Sequence, residues 1–494
     1  MRPPIWLIVV LVGALVGLVF AGVSTWDFVQ HLDRQVHSLH CSFIPGMGHG
    51  AGESGCQVAM MSPYSSVLRA RIWGGIPISL AAMAVFAFIG FYAIDLLISR
   101  RTQDRRATAF LALAAGLPVF MSMMMLTISL VKLGTTCKLC ICIYAASALC
   151  LTGAIVLWRR AVKAPSAEPE VTNRFLGAMF AVGVAFVLVP ILLYIAMAPD
   201  HSKFLGTCEN LTRSDDPYGV MVRVDKSSAS NAVPSLEILD PLCPACRAFE
   251  QRLEGSGLGD RLDRKAILFP LDTECNWMIT ETTHPGACTV SEAVLCAGER
   301  APEVLAWAFD VQDQVRTEAK TDRTAAARIV KQRFPELAAC VGSAEARSRL
   351  NKSMRWAVSH NIRVLTPQLY VDNVKLCDED VDLGLEYALS RMLDAHDRGV
   401  RLGPPPAEAP PPATAPMTPA HQAGHGSSSG SAEHKAPAEQ PPEAPKAEAP
   451  KPEAAKPDEP VTSPTAAPAE PDKAPMPPEE PAPGTGSGSA GGAQ

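Results

Sequence analysis

The chain has 494 residues, 48% of them hydrophobic, and its 44 Lys and Arg nearly balance 50 Asp and Glu to leave a net charge of −6. Such a balance gives no hint of nucleic acid, and the positive mean hydropathy is rare for a soluble enzyme. Apolar residues crowd the first 200 positions, whereas the last 90 or so contain almost no Leu, Ile, Val or Phe. A membrane part, a globular part and a disordered part are therefore expected in that order.

Five runs are long and apolar enough to cross a hydrocarbon layer, which takes about 20 residues. They are Trp6 to Val23, Ile76 to Ile98, Phe110 to Val131, Leu139 to Trp158 and Phe175 to Met197. Arg2 ahead of the first run also fits a cleaved secretory signal. The run is longer than a typical signal core, however, and no clear small-x-small site precedes Thr25. Arg100, Arg101, Arg105 and Arg106 after the second run, and Arg159, Arg160 and Lys163 after the fourth, mark both connections as cytoplasmic. This topology places Cys41 and Cys56, Cys137 and Cys140, and Cys243 and Cys246 all on the outer side.

Between the first two runs, a loop of about 50 residues holds Cys41 and Cys56; loops this long are usually functional or disordered. His31, His37, His40 and His49 gather near Cys41, but their spacing matches no standard metal site, and a solvated loop is the preferred reading. The fourth run opens Thr-Thr-Cys137-Lys-Leu-Cys140-Ile-Cys142-Ile-Tyr144. Spaced by three, Cys137 and Cys140 share one helix face, with Cys137 at the outer mouth and Cys140 deeper, where a thiol can meet a lipid-soluble oxidant. Cys142 and Cys150 read as small hydrophobes in a membrane helix.

Cys56 is followed six positions on by Ser62, then by Gly-Ile-Pro77-Ile-Ser leading into the second helix, then by the CxxC with Tyr144 four residues beyond it. This combination resembles the vitamin K epoxide reductase family over about residues 5 to 160. The resemblance implies a four-helix bundle enclosing a quinone, ubiquinone or menaquinone, beside the inner cysteine of the CxxC. It also implies roles. Cys140 matches the quinone-facing thiol, Cys137 its partner, Cys56 the loop cysteine that attacks Cys137, and Cys41 the one that meets the external redox partner; Ser62 and Tyr144 match positions lining the quinone pocket. Two departures stand out. The loop pair is spaced more widely than is usual in the family, and Arg71 stands near where animal members place a pocket asparagine.

After the fifth run, Pro234 to Asp240 reads as a short buried strand ending at Pro-Leu-Cys243-Pro-Ala-Cys246. Strand, CxxC, helix is the opening of a thioredoxin-like domain. A cysteine at a helix N-terminus sees the positive end of the dipole, so Cys243 is the expected nucleophile and Cys246 the resolving thiol. No second CxxC or Cys/His pair stands at a distance suited to zinc. Far downstream, Thr366-Pro367 resembles the Thr-cis-Pro that faces the CxxC in such domains. The helical pattern from about Cys288 to His360 resembles the helical insert of periplasmic thiol oxidases, and this likeness spans roughly 200 to 398. Cys208, Cys275, Cys288, Cys296, Cys340 and Cys377 remain, an even number suited to structural disulfides, with Cys275–Cys288 the expected bridge. From Gly403 on, Pro, Ala, Glu, Lys, Gly and Ser dominate and no core can offset the ordering entropy.

The expected organisation is a membrane domain over 1–160, a cytoplasmic loop and fifth helix over 161–200, an α/β thioredoxin-like domain with a helical insert over 201–400, and a disordered tail over 401–494. The expected function is quinone-coupled disulfide formation at a bacterial inner membrane, with the soluble domain and tail on the periplasmic side. Thiols of exported proteins are then the substrates, with membrane quinone and the lipid bilayer as the other partners and no nucleic acid. One alternative reverses the flow and supplies reductant to an isomerase-type domain. Another is a membrane-anchored binding or chaperone module whose cysteines are structural.

Overall fold

The structure is a computed structural model that describes residues 5–35, 37, 55–164, 170–225 and 231–403. Five long helices carry the five apolar runs: α1 (Ile5–Gln30), α3 (Ile78–Ile98), α4 (Arg105–Val131), α5 (Lys138–Lys163) and α6 (Asn173–Met197); the short α2 (Gly55–Met61) and the paired strands β1 (Ser66–Val67) and β2 (Ile76–Pro77) lie between α1 and α3. Each of the five is long and apolar enough to cross a membrane. Helices α1, α3, α4 and α5 form a bundle, and small residues let their backbones approach closely. A Cβ on Gly17 would overlap the Phe86 ring at 2.4 Å, and one on Gly13 would meet Cys150 Sγ at 2.9 Å. Cys150 is buried there and acts as the small hydrophobe its position in the run implied. Helix α6 has no buried residue and rests on α3 through Phe186, whose ring lies 5.8 Å from Phe88 and 5.4 Å from Phe91.

One end of the bundle gathers the basic connections. Asp104 caps α4 by accepting from the N–H of Arg106 and Ala107, and its other oxygen accepts from Val171 N–H at 2.7 Å. Arg106 pairs with Glu170 at 2.9 Å, and Arg101 lies over the Phe175 ring. The α3–α4 and α5–α6 connections thus share one end. Cys56 and Cys137 lie together at the opposite end, where α5 begins and the chain leaves α6 for the soluble domain.

That domain is built on a five-stranded sheet in the order β3 (Val222–Arg223), β5 (Leu262–Leu268), β4 (Val233–Leu239), β6 (Gln368–Val371), β7 (Val374–Lys375). Strands β4 and β5 are parallel and joined through α7 (Pro244–Ser256), while the other three pairings are antiparallel. The central β4 is an almost unbroken run of buried residues, as a strand covered on both faces requires. Pro244 starts α7 where its missing N–H costs nothing, and Gly257 ends it with a left-handed φ of 69°. The insert between β5 and β6 is four helices: α8 (Ala287–Ala297), α9 (Ala301–Thr321), α10 (Ala325–Arg333) and α11 (Ala344–Ser359). The last helix, α12 (Leu385–Asp397), packs on the sheet face shared with Phe249 and Leu253 of α7. The Thr366–Pro367 peptide is cis. This is a thioredoxin-like domain with a helical insert; the expected disordered tail lies outside the described residues.

Three disulfides staple the soluble domain: Cys208–Cys377, Cys275–Cys288 and Cys296–Cys340. The first ties the stretch just after α6 to a position 169 residues later. The soluble domain sits on the bundle through a buried polar hub. Arg34 donates to both oxygens of Asp380, at 3.1 and 3.0 Å, and Trp73 Nε1–H donates to Asp380 Oδ1 at 2.8 Å. Phe28, Leu32, Met61 and Trp73 pack around it against Leu383 and Tyr387. Gly384 lies so close to the Trp73 indole that a Cβ would sit 2.4 Å from Nε1.

Removing one partner from a buried pair leaves the other uncompensated, at about 3–5 kcal/mol, whereas losing the indole's hydrogen bond to the carboxylate costs about 1.5–3 kcal/mol. Asp380→Ala is therefore expected to lower the melting temperature in detergent substantially more than Trp73→Phe. Calorimetry showing equal, small shifts for the two variants would contradict the hub.

Candidate functional site

The first redox centre lies where α2 meets the start of α5. Gly55 lets α2 abut the chain just before α5, because a Cβ there would fall 2.4 Å from Thr136 O and 2.7 Å from Thr135 Oγ1. That approach delivers Cys56 Sγ to 3.2 Å from Cys137 Sγ. Cys56 is itself disulfide-bonded, while Cys137 and Cys140 are free thiols. The contact therefore sets a thiol against a disulfide sulfur, the pairing from which exchange proceeds. Cys137 is also the N-cap of α5, its Sγ accepting from Cys140 N–H at 3.4 Å; a helix N-terminus favours thiolate there. Cys41 lies outside the described residues.

Below this contact, a cavity of about 420 Å³ opens between the bundle helices and α2. Its walls are mostly apolar, including Phe86, Met121 and Val187, and its few polar groups include Ser62 and Tyr144. Cys56, Cys137 and Cys140 all line it. Cys140 and Tyr144, four residues apart on α5, share a face. The structure thus brings Cys56, Cys137, Cys140, Ser62 and Tyr144 to one cavity. Arg71 is exposed and does not line it. The neighbouring arginine that matters is Arg69, which is 3% exposed. Its Nη1 donates to Ser62 O, its Nη2 donates to Leu383 O at 3.5 Å, and its Nε lies 3.4 Å from Glu386 Oε1. It links a cavity-lining segment to the soluble domain. No sequence signal separates Arg69 from Arg71, because the contact that distinguishes them crosses more than 300 residues.

The second centre is the CxxC at the head of α7. Cys243 is the N-cap of the helix, with the carbonyl of Thr366, the residue before cis-Pro367, 3.7 Å from its Sγ. Gln312 Nε2–H of α9 donates to Cys243 O at 3.4 Å. The Thr366 hydroxyl is buried with no partner among the described residues and so is free to donate to a thiolate. Cys243 is lowered to about 6, first by the hydrogen bond from Cys246 and then by Thr366 and the charge of His284, against burial and Asp240. Cys246 moves the other way, raised well above an ordinary thiol by burial and by its bond to Cys243. The two thiols are thereby set apart, Cys243 the more and Cys246 the less readily ionised.

The flank of α7 faces the first centre. Ala248, Gln251, Arg252 and Gly255 share a cleft of about 240 Å³ with Val58 and Met61 of α2 and with Ser62 to Tyr64. Gly255 lies so near Pro63 that a Cβ would come within 2.5 Å of its ring. The helix that begins with Cys243 is thus laid alongside the helix that carries Cys56.

Residues 8–155 match the model of the Vitamin K epoxide reductase family, so the N-terminal part of the chain carries a domain of that family. No curated protein matches the chain significantly. Among solved structures, the chain is similar to the oxidoreductase NmDsbA1 from N. meningitidis, at 16% identity over 34% of this chain and 88% of that one, with a TM-score of 0.24. It is similarly related to the oxidoreductase DsbA from Xylella fastidiosa, at 16% identity over 36% of this chain and 96% of that one, with a TM-score of 0.23.

With its pKa lowered, Cys243 is expected to keep its thiolate, and hence its alkylation rate, as pH falls from 9 toward about 6, and to lose it below that. Peptide-resolved alkylation of the reduced protein should give a midpoint near 6 for Cys243 that returns to about 8.5 on unfolding. A folded-state midpoint near 8.5 would contradict this assignment.

Proposed function

We propose that this membrane thiol–disulfide oxidoreductase forms disulfides in exported proteins and delivers the electrons to a membrane quinone. The observation that carries the reading is the 3.2 Å contact between Cys56 and Cys137 at the mouth of the cavity lined by Cys140. In this reading a client thiolate attacks the Cys243–Cys246 disulfide, and a second client thiol resolves the mixed disulfide. The client leaves oxidised and the CxxC leaves as two thiols. The Cys243 thiolate then attacks the loop disulfide of Cys41 and Cys56, and Cys246 resolves it. The freed Cys56 thiolate attacks Cys137 of a Cys137–Cys140 disulfide, which releases Cys140 as thiolate; Cys41 closes on Cys56 and frees Cys137. Each exchange moves two electrons by breaking one S–S bond and making another, so no outside oxidant is needed until the last step.

A quinone bound beside Cys140 would serve as the acceptor for that last step, in which Cys137 and Cys140 re-form their disulfide and give up two electrons and two protons. The cavity suits such a ligand: its volume falls in the range of small-molecule sites, and its apolar walls hold few polar groups. Tyr144 is the hydroxyl donor proposed for a carbonyl oxygen, with Cys140 beside it, while Ser62, whose hydroxyl donates to Ala59 O at 2.7 Å, is proposed as part of the pocket wall. A bacterial inner membrane, with the cysteine-bearing end outward, fits the four basic residues of the α3–α4 connection at the opposite end. The tether through α6 and the Asp380 hub keeps donor and acceptor in one molecule, replacing diffusional encounter by an effective concentration up to about millimolar.

Purified protein given a reduced, unfolded client and a soluble quinone should reduce the quinone only when thiols are present. Cys140→Ser should lower that rate by about 100-fold or more. Tyr144→Phe should raise the KM for quinone about 5–10-fold, the worth of one hydrogen bond. Quinone reduction that survives Cys140→Ser would overturn the reading.

A further inference from the structure

Asp240 and His284 form a buried pair that the relay does not use. Asp240 follows β4, three residues ahead of Cys243, and is 0% exposed. Its Oδ1 accepts from Leu242 N–H at 2.8 Å, and its Oδ2 accepts from Leu271 N–H at 2.8 Å and from His284 Nδ1–H at 2.7 Å. Its backbone carbonyl accepts from Cys243 N–H at 3.1 Å. The pair is thus bonded into the turn that presents the nucleophile.

His284 is held there from outside the strand. It lies between Cys275 and Cys288, which are bridged. Its own N–H donates to Leu271 O at 3.0 Å, and its carbonyl accepts from Ala287 N–H at 3.1 Å. Asp272 secures the same segment by accepting from Gly286 N–H at 2.9 Å. The charged and titratable groups facing the ring are Asp240 beyond β4, Cys243 of α7 and Arg316 of α9. Burial works against protonation of His284, but the Asp240 carboxylate and the Cys243 thiolate outweigh it, and the pKa is raised. A histidine that only filled space would need neither an acidic partner nor a covalent staple around its loop.

We propose that His284 is a positioning residue for Cys243. Fixed by Asp240 and by the Cys275–Cys288 bridge, its imidazolium favours the Cys243 thiolate and so makes the Cys243–Cys246 disulfide more oxidising. Stabilising the reduced form of a thiol pair raises its oxidising power, and each tenfold in the exchange equilibrium is about 30 mV. This inference rests on Cys243 being the nucleophile, as argued above, but not on quinone as the final acceptor.

His284→Asn keeps a donor for Asp240 and removes the charge. In the full-length protein in detergent, it is expected to raise the Cys243 alkylation midpoint and to slow alkylation at pH 6 by about 3–10-fold, the loss of thiolate that follows when the imidazolium no longer favours it. The equilibrium with glutathione should move by the same factor toward the disulfide. Cys275→Ser with Cys288→Ser should act in the same direction. A measurement on the unaltered protein guards against a variant that does not fold. Because coupling is reciprocal, His284 followed by NMR of labelled histidine should titrate at higher pH when Cys243 and Cys246 are reduced than when they are oxidised. A folded His284→Asn protein with an unchanged Cys243 midpoint, or a His284 titration indifferent to redox state, overturns the proposal. Loss of quinone reduction alone would count against the relay and not against this pair.

Discussion

Thiol–disulfide exchange is a contact reaction, and the 3.2 Å separation of the Cys56 and Cys137 sulfurs is the constraint to which the rest of this chain answers. Two sulfurs on different elements stay that close only if the backbones that bear them are pressed together. Gly55 allows this, since any side chain there would collide with Thr135 and Thr136. On the other side, Cys137 is fixed as the cap of α5. Phe20, Val23, Ala59 and Leu139 close around the pair in an apolar shell. One turn into α5, Cys140 reaches the cavity, so a single helix start links the contact to the cavity.

The second constraint is that the soluble domain must stay near that contact. A tether alone would allow it, but the structure adds a hub in which one carboxylate, Asp380, satisfies both Arg34 and Trp73. Burying a charge in this way is favourable only because its partners are fixed in place. The Cys208–Cys377 bridge fastens the segment leaving α6 to the region just before Asp380, which shortens the lever between membrane and hub. Arg69 adds a second crossing, from Ser62 beside the cavity to Leu383 and Glu386.

Much of this was legible in the sequence, and for physical reasons. Transmembrane helices announce themselves through length and apolarity, so all five are legible; α1, α4, α5 and α6 extend beyond their apolar runs, whereas α3 begins two residues later, at Ile78, because Ile76 and Pro77 pair with Ser66 and Val67 as a short strand. The strand ahead of the CxxC was expected over Pro234 to Asp240 and forms over Val233–Leu239. The Cys275–Cys288 bridge was the expected one. What could not be read was whatever depends on distant pairs. Asp380 looks like one acid in the run Asp-Glu-Asp, and only its contacts 346 and 307 residues away single it out. Arg69 and Arg71 are indistinguishable until the soluble domain covers one of them. The Asp240–His284 pair is equally silent, because a histidine in a loop of polar residues carries no local sign that it will be buried.

Passage of electrons between the loop and the helix pair requires a transient Cys56–Cys137 bond. That bond is testable in protein carrying Cys41→Ser with Cys140→Ser, where both thiols that could resolve it are missing. After exposure to oxidant, disulfide mapping by mass spectrometry should recover a peptide pair joined at Cys56 and Cys137. Recovery of Cys137 only as a free thiol, or joined to some other cysteine, would contradict the proposed relay.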